Sequence, residues 1–276
     1  MLAMSERPIG LLDSGIGGLT VLKEARKLLP NESFIYIGDN ARNPYGPRSA
    51  EEIRRYTLEL VQFLMDRQVK MVVIACNTAT AVVLDELKGS LPIPVLGVIL
   101  SGSMEAVRHT KTKEVGLLAT QSTVDSSYYN QKMSEMDKSV RVTSLACPEF
   151  VDLVETNQYK SEEAEAIVQA KLSPLKEKNV DALILGCTHF PLLSPFIKKE
   201  MGQKVRLIDS GALTAEQIGQ VLEENQMAAA KNSPVKTEIY TTGDAQLFRA
   251  IAGEWMEDDE LEVNKINVEG LKLDAE

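Results

Sequence analysis

The chain is 276 residues long and 44% hydrophobic, room for one large α/β domain or two of ordinary size, each with its own buried core. Its net charge of −10 is spread along the sequence, which argues against a basic nucleic-acid footprint and against an anionic membrane surface as partner. Three cysteines, Cys76, Cys147 and Cys187, without C-x-x-C spacing, point to free thiols in a reducing compartment, and with only His109 and His189 beside them no metal site is expected.

The first eight residues carry no apolar signal region and no apolar run reaches bilayer length, so the expected location is the cytoplasm. Ile9–Leu12 predicts a buried strand, followed by Asp13-Ser14-Gly15-Ile16-Gly17-Gly18 and a helix from about Leu19 to Leu29 with helical apolar spacing. The glycines allow a tight turn that leaves backbone N–H groups open at a helix start, a ready anion site. Phe34–Asp39 predicts a second strand, and Asn43-Pro44-Tyr45-Gly46-Pro47 a loop stiffened by its prolines. Ser49-Ala50-Glu51-Glu52 has capping-box spacing and opens a helix carrying Ile53, Tyr56, Leu60 and Leu64 on one face. A third strand ends at Cys76, a helix runs to about Leu87, and Val95–Ile99 predicts a fourth strand.

The pattern then restarts. Val115–Thr120 echoes Ile9–Ser14 at an offset of 106 residues, the strand ending at Cys187 echoes the one ending at Cys76 at 111, and Val205–Gly211 echoes Val95–Gly102 at about 109. One duplication with small insertions accounts for all three. Between the echoes the sequence predicts a strand at Val140–Ala146, a short helix from Cys147 to near Glu155, and a helix from about Ser161 to Lys178. A helix to about Glu224, a strand at Glu238–Thr242, a helix holding Trp255 and a strand near Val263 complete the chain. The expected fold class is α/β: two similar three-layer αβα domains with mostly parallel sheets, related by a pseudo-two-fold axis, with the active site in the cleft between them. The expected domains are residues 1–98 with 209–276, the tail returning to the first, and residues 99–208.

Each half ends a buried strand in a small residue, a cysteine and a polar pair, Ala75-Cys76-Asn77-Thr78 and Gly186-Cys187-Thr188-His189. A thiol at a strand end before a helix N-terminus is where a usable thiolate forms. Free cysteine more often behaves as a small buried hydrophobe, and Cys147, before a proline and outside the repeat, is read that way. The matched positions of Cys76 and Cys187 favour chemistry instead. An isolated histidine is more often a satisfied polar side chain, but His189 is placed to accept or return a proton for Cys187. Asp13 reads either as an N-cap or, on the same rim as Cys76, as a group polarising that thiol. Glu155 reads equally as a solvated helix residue, and the sequence does not choose. Gly15-Ile16-Gly17 with Asp39 imitates a dinucleotide fingerprint, yet Thr20 stands where a third Gly or Ala is needed. The matching loop of the second half, Thr120-Gln121-Ser122-Thr123, has no glycine, which suits a small carboxylate better than a pyrophosphate.

Leu12–Gly18, Asp39, Pro44-Tyr45-Gly46, Ala75–Ala79, Ala146-Cys147-Pro148 with Val154-Glu155, Gly186–His189 and Tyr240–Asp244 together resemble the glutamate racemases of the aspartate/glutamate racemase superfamily, over nearly the whole chain. The resemblance implies a cofactor-independent isomerase that interconverts L-glutamate and D-glutamate and supplies the D-enantiomer for peptidoglycan, hence for cell-wall biogenesis and cell shape. It implies a homodimer with neither nucleic acid nor membrane as partner. By the same resemblance Cys76 takes the α-proton of D-glutamate and Cys187 that of L-glutamate, with Asp13 assisting Cys76, and His189 with Glu155 assisting Cys187. The implied substrate shell is Asp13, Ser14, Pro44, Tyr45, Gly46, Asn77, Thr78, Thr123, Thr188 and His189. Without pyridoxal phosphate the carbanion needs oriented N–H donors and exclusion of water. A racemase for aspartate, and a two-domain binding protein without catalysis, are the alternatives; a substrate panel separates the first, and the matched thiols speak against the second.

Overall fold

The continuous apolar runs become strands buried at every position, as parallel strands covered by helices on both faces must be. The computed structural model describes residues 3–258 and 260–271. In chain order, β1 (Ile9–Asp13), α1 (Leu19–Leu28), β2 (Phe34–Gly38), α2 (Ala50–Asp66), β3 (Met71–Ile74), α3 (Asn77–Ser90) and β4 (Val95–Gly97) alternate without interruption. Next come α4 (Val98–His109), β5 (Glu114–Ala119), α5 (Gln121–Ser126), α6 (Tyr128–Met136), β6 (Arg141–Ala146), α7 (Pro148–Glu155), α8 (Glu162–Lys176) and β7 (Ala182–Gly186). A 3-10 turn at Phe190–Leu193 leads to α9 (Ser194–Met201), β8 (Arg206–Asp209), α10 (Ser210–Glu224), β9 (Thr237–Thr241), α11 (Ala245–Met256) and β10 (Val263–Lys265).

Two sheets form, a six-stranded one in the order β10-β9-β2-β1-β3-β4 and a four-stranded one in the order β6-β5-β7-β8, with every pairing parallel. The order β2-β1-β3-β4 recurs as β6-β5-β7-β8. Each sheet therefore has its first strand flanked by its second and third, and a switch point opens at the carboxyl ends of the central pair, where open α/β sheets bind ligands. The chain divides into two units, Met1–Val98 with Gly211–Glu276, and Ile99–Ser210. The tail belongs to the first unit because β9 pairs with β2 from Phe34↔Thr237 to Gly38↔Thr241.

Local chemistry explains most boundaries. Ser49 caps α2, its hydroxyl accepting from the Glu52 N–H at 3.3 Å while the Glu52 carboxylate accepts from the Ser49 N–H at 3.1 Å. The expected strand Val95–Ile99 stops at Gly97, and Val98 and Ile99 are fully buried in the first turn of α4. A short apolar, β-branched run does not by itself separate a strand from a buried helix start. The helices α5 and α6 lie in a stretch for which the sequence predicts no element; α5 has six residues and buries only Thr123, too little for a periodic signal. Among the described residues no helix is long and apolar enough to cross a membrane.

Candidate active site

The carboxyl ends of β1 and β3 carry the first group of expected site residues. Carrying the register Leu12↔Ile74 two residues on sets Ser14 level with Cys76, and the Cys76 thiol donates to Ser14 Oγ at 3.5 Å. Cys76 is also the N-cap of α3, its Sγ accepting from the Ala79 N–H at 3.4 Å. A helix start of this kind favours a thiolate. Asn77 and Thr78 form the first turn of α3, and both are buried.

Asp13 is fully buried, and its Oδ2 accepts from the Gly15 and Gly18 N–H groups, each at 3.1 Å. Two N–H groups expected to stand open for an anion are thus engaged by the chain's own carboxylate and are not available to a phosphate. Glycine at position 18 is what permits this: a Cβ there would lie 2.7 Å from the Asp13 Cβ. Asp13 fastens the turn that begins at Ser14, and the hydroxyl bonded to the Cys76 sulfur is that of Ser14. Pro44-Tyr45-Gly46 follows a cis Asn43–Pro44 peptide. Tyr45 is buried and its hydroxyl donates inward to Asp39 Oδ2 at 2.5 Å, while Pro44 is exposed and Gly46 half-buried. Burial, together with the Asp39 carboxylate, holds the Tyr45 phenol well above its ordinary pKa.

The second unit repeats the geometry with different side chains. Carrying the register Ala119↔Gly186 one residue on sets Thr120 level with Cys187, the relation Ser14 bears to Cys76. Thr120 is absent from the residues expected of the site, although its echo of Ser14 was the signal that marks it. Thr120 caps α5, its Oγ1 accepting from the Thr123 N–H at 3.4 Å, and the two hydroxyls lie 3.1 Å apart. Both threonines are buried, as is Thr188. Ala119 stands where Asp13 does in the first unit, so the carboxylate of this half comes from elsewhere. It is Glu155, the last residue of α7, whose Oε1 lies 2.6 Å from His189 Nε2, while His189 Nδ1 lies 3.4 Å from Cys187 Sγ.

Cys187 does not open an α-helix. Thr188 and His189 lead into the 3-10 turn, and α9 begins only at Ser194. Pro191 and Pro195 each occupy the first turn of one of these pieces, where a proline is tolerated; a single helix from Thr188 would put both in its interior. The helix-terminal field expected at Cys187 is therefore replaced by a histidine. Burial alone would lower the His189 pKa, but the Cys187 sulfur and the Glu155 carboxylate outweigh it and hold the value well above that of a free histidine. Each ring nitrogen of His189 thus faces an acceptor, the Cys187 sulfur on one side and the Glu155 carboxylate on the other, and both favour the protonated ring.

A titration follows from this. In wild-type protein the His189 ring signals stay constant through the region near pH 6.5 where free histidine titrates, and Glu155→Gln moves the midpoint down into or toward it. Because the folded-state value is raised, the stabilisation this pair contributes is fully present below about pH 6.5 and is lost as pH rises through the folded value. Ring-proton NMR reads both variants; an unchanged midpoint in Glu155→Gln overturns the assignment.

The three cysteines are free and buried, but they are not equivalent. Burial pushes the Cys147 thiol up to about 12, against a smaller pull from Lys171, and its thiol points at the Leu145 carbonyl at 3.5 Å. It stays protonated. No group of three or more His, Cys, Asp or Glu side chains among the described residues is arranged to hold a metal ion.

The sequence profile of the family described as Asp/Glu/Hydantoin racemase matches residues 19–218. The chain is 49% identical over 267 residues to a glutamate racemase of Carnobacterium sp. (strain St2), covering 96% of this chain and 100% of that one. Among solved structures it resembles a glutamate racemase isoform from Bacillus anthracis, with a TM-score of 0.92 and 40% identity over 96% of this chain and 98% of that one. It also resembles the glutamate racemase of Francisella tularensis solved in complex with D-glutamate, with a TM-score of 0.89 and 33% identity over 95% and 98% of the two chains.

Proposed function

The chain belongs to the Asp/Glu/hydantoin racemase family and is an amino-acid racemase, and on that premise we propose that it interconverts L- and D-glutamate with two thiols and no cofactor. The observation that carries the two-thiol reading is the repeated register: Cys76 beside Ser14 and Cys187 beside Thr120, each one or two residues past the end of an equivalent strand pair. Likeness to the Francisella enzyme solved with D-glutamate supports glutamate as substrate.

In the direction from L-glutamate, a Cys187 thiolate removes the α-proton and the Cys76 thiol delivers its own proton to the opposite face. The product is D-glutamate, and the enzyme is left with a Cys187 thiol and a Cys76 thiolate, ready for the reverse. The scheme requires both thiols to reach one Cα. His189, 3.4 Å from the Cys187 sulfur, is placed to exchange a proton with it, and Cys76 caps the start of α3, where a helix N-terminus favours a thiolate. The carboxylates of an acidic substrate, and the charge that develops beside one of them, need N–H and hydroxyl donors; Ser14, Asn77, Thr78, Thr123 and Thr188, with the turn at Pro44–Gly46, are assigned that role. Asp13 holds the Ser14 turn in place. The same reading has the enzyme acting as a cytoplasmic homodimer that supplies D-glutamate for peptidoglycan, on the strength of the family resemblance.

Solvent deuterium tests it. In deuterated buffer without added cofactor, α-proton NMR is expected to show exchange into both L- and D-glutamate while optical rotation decays to zero. Exchange into aspartate alone would move the substrate assignment, and exchange into neither would remove the racemase reading of these thiols.

A further inference from the structure

The buried charges nearest the Pro44–Gly46 turn have no part in the chemistry so far. Asp39, fully buried just past the end of β2, is a hub of four groups. Its Oδ2 accepts from Arg42 Nε at 2.7 Å and from the Tyr45 hydroxyl at 2.5 Å, and its Oδ1 accepts from the Thr242 hydroxyl at 2.8 Å. Its backbone N–H donates to the Asp13 carbonyl at 3.0 Å, tying the hub to the strand that carries Asp13. Arg42 reaches beyond Asp39 with a second nitrogen, Nη1, to Glu59 in α2. Its guanidinium lies over the Tyr56 ring at 4.1 Å, and the Arg42 carbonyl accepts from Arg48 Nε at 2.7 Å, on the far side of the turn.

We propose that Arg42, spanning Asp39 and Glu59, is a positioning residue that holds the Pro44–Gly46 turn in its substrate-binding form, with Thr242 as the opposing half of the clamp. The proposal rests on the assignment of that turn to the substrate shell made above. Geometry favours it over a general stabilising role. The three side-chain contacts of Asp39 run to Tyr45 in the turn, to Arg42 on its leading flank and to Thr242 just past β9, and both of its carboxylate oxygens are occupied, so the carboxylate cannot rotate without releasing Tyr45. A lysine could not replace the arginine, because a single ammonium cannot form the planar fork that engages two carboxylates at once. Burial acts to lower the Arg42 pKa, but the carboxylates of Glu59 and Asp39 outweigh it, and the group stays charged.

The experiment compares Arg42→Ala, Arg42→Lys and Thr242→Val with wild type in glutamate racemisation, alongside amide hydrogen exchange of residues 40–48. The expected result is a rise in KM in both directions of about ten- to a hundredfold in Arg42→Ala, the size of a lost charge-assisted hydrogen bond, with kcat nearly unchanged. Arg42→Lys should fall close to Arg42→Ala, and millimolar guanidinium, but not methylammonium, should lower the KM of Arg42→Ala. Amides of 40–48 should exchange faster while those of β1 and β3 do not. If Arg42→Ala does not fold, Thr242→Val, which keeps both ion pairs, must still raise KM and loosen 40–48. Folded variants with unchanged KM and unchanged exchange in 40–48 would overturn the proposal, as would rescue by methylammonium equal to that by guanidinium. If wild type itself racemises no amino acid, the substrate assignment fails first, and hydrogen exchange in 40–48 alone decides whether Arg42 holds the turn.

Discussion

Alanine at Cys76 and alanine at Cys187 are each expected to lower glutamate racemisation by at least about 10²–10⁴-fold, the range for loss of a positioned acid or base, while Cys147→Ala turns over at close to the wild-type rate. Inversion needs a base on one face of Cα and an acid on the other, so one remaining thiol cannot complete it. Enantiomers have equal free energies, so kcat/KM must fall equally in both directions for each variant; the two variants differ elsewhere. With Cys76 alone, D-glutamate should still exchange its α-proton slowly with solvent and with retention, and with Cys187 alone L-glutamate should do so. Cys76 also caps α3 through its sulfur, so Cys76→Ser, which keeps an acceptor at that cap, separates lost chemistry from a frayed helix start. Polarimetry and α-proton NMR on the same samples give both readings. Either alanine variant at full rate would sink the two-base scheme, and loss of activity in Cys147→Ala would reopen the role of that thiol.

The largest expected effect on stability lies at the opposite end of the first sheet. Lys70, just before β3, is fully buried; its ammonium pairs with the buried Glu32 and donates to the Ser5 carbonyl at 2.8 Å and the Met227 carbonyl at 2.9 Å. The second oxygen of Glu32 accepts from the Ala229 N–H at 2.7 Å. One ion pair thus joins three distant stretches of chain to the amino ends of the central strands. Lys70→Ala leaves a buried carboxylate without its counter-charge and is expected to destabilise by about 3–5 kcal/mol. Lys70→Met with Glu32→Gln, which removes both charges and retains much of the volume, should recover most of that loss. Urea unfolding measures both, and turnover per folded molecule should be unchanged, since Cys76 sits at the other end of β3. A loss below about 1 kcal/mol, the scale of an exposed pair, would show that water reaches this site.

Sequence by itself determined the strands, because parallel strands covered on both faces must be continuously apolar, and Ile9–Leu12, Met71–Ile74 and Leu183–Leu185 are. It determined the repeat, because a duplicated unit keeps its offsets, and the recurring order β2-β1-β3-β4 and β6-β5-β7-β8 has the same source. It also marked both cysteines as the residues that follow those strands. What it could not hold was anything that depends on which groups meet. That the Gly15 and Gly18 N–H groups face Asp13, and not a ligand, is set by the path of the turn. That Glu155 reaches His189 across 34 residues is set by the packing of α7 against the 3-10 turn that follows His189, and a helix-end glutamate looks the same whether it meets solvent or an imidazole. The hub at Asp39 draws on Arg42, Tyr45 and Thr242, the last of them 203 residues away, brought close only because β9 adds to the sheet beside β2. Periodicity is a local property carried by neighbours in the chain, whereas a buried charge is satisfied by whichever group the packed sheet delivers, and only the tertiary structure decides that.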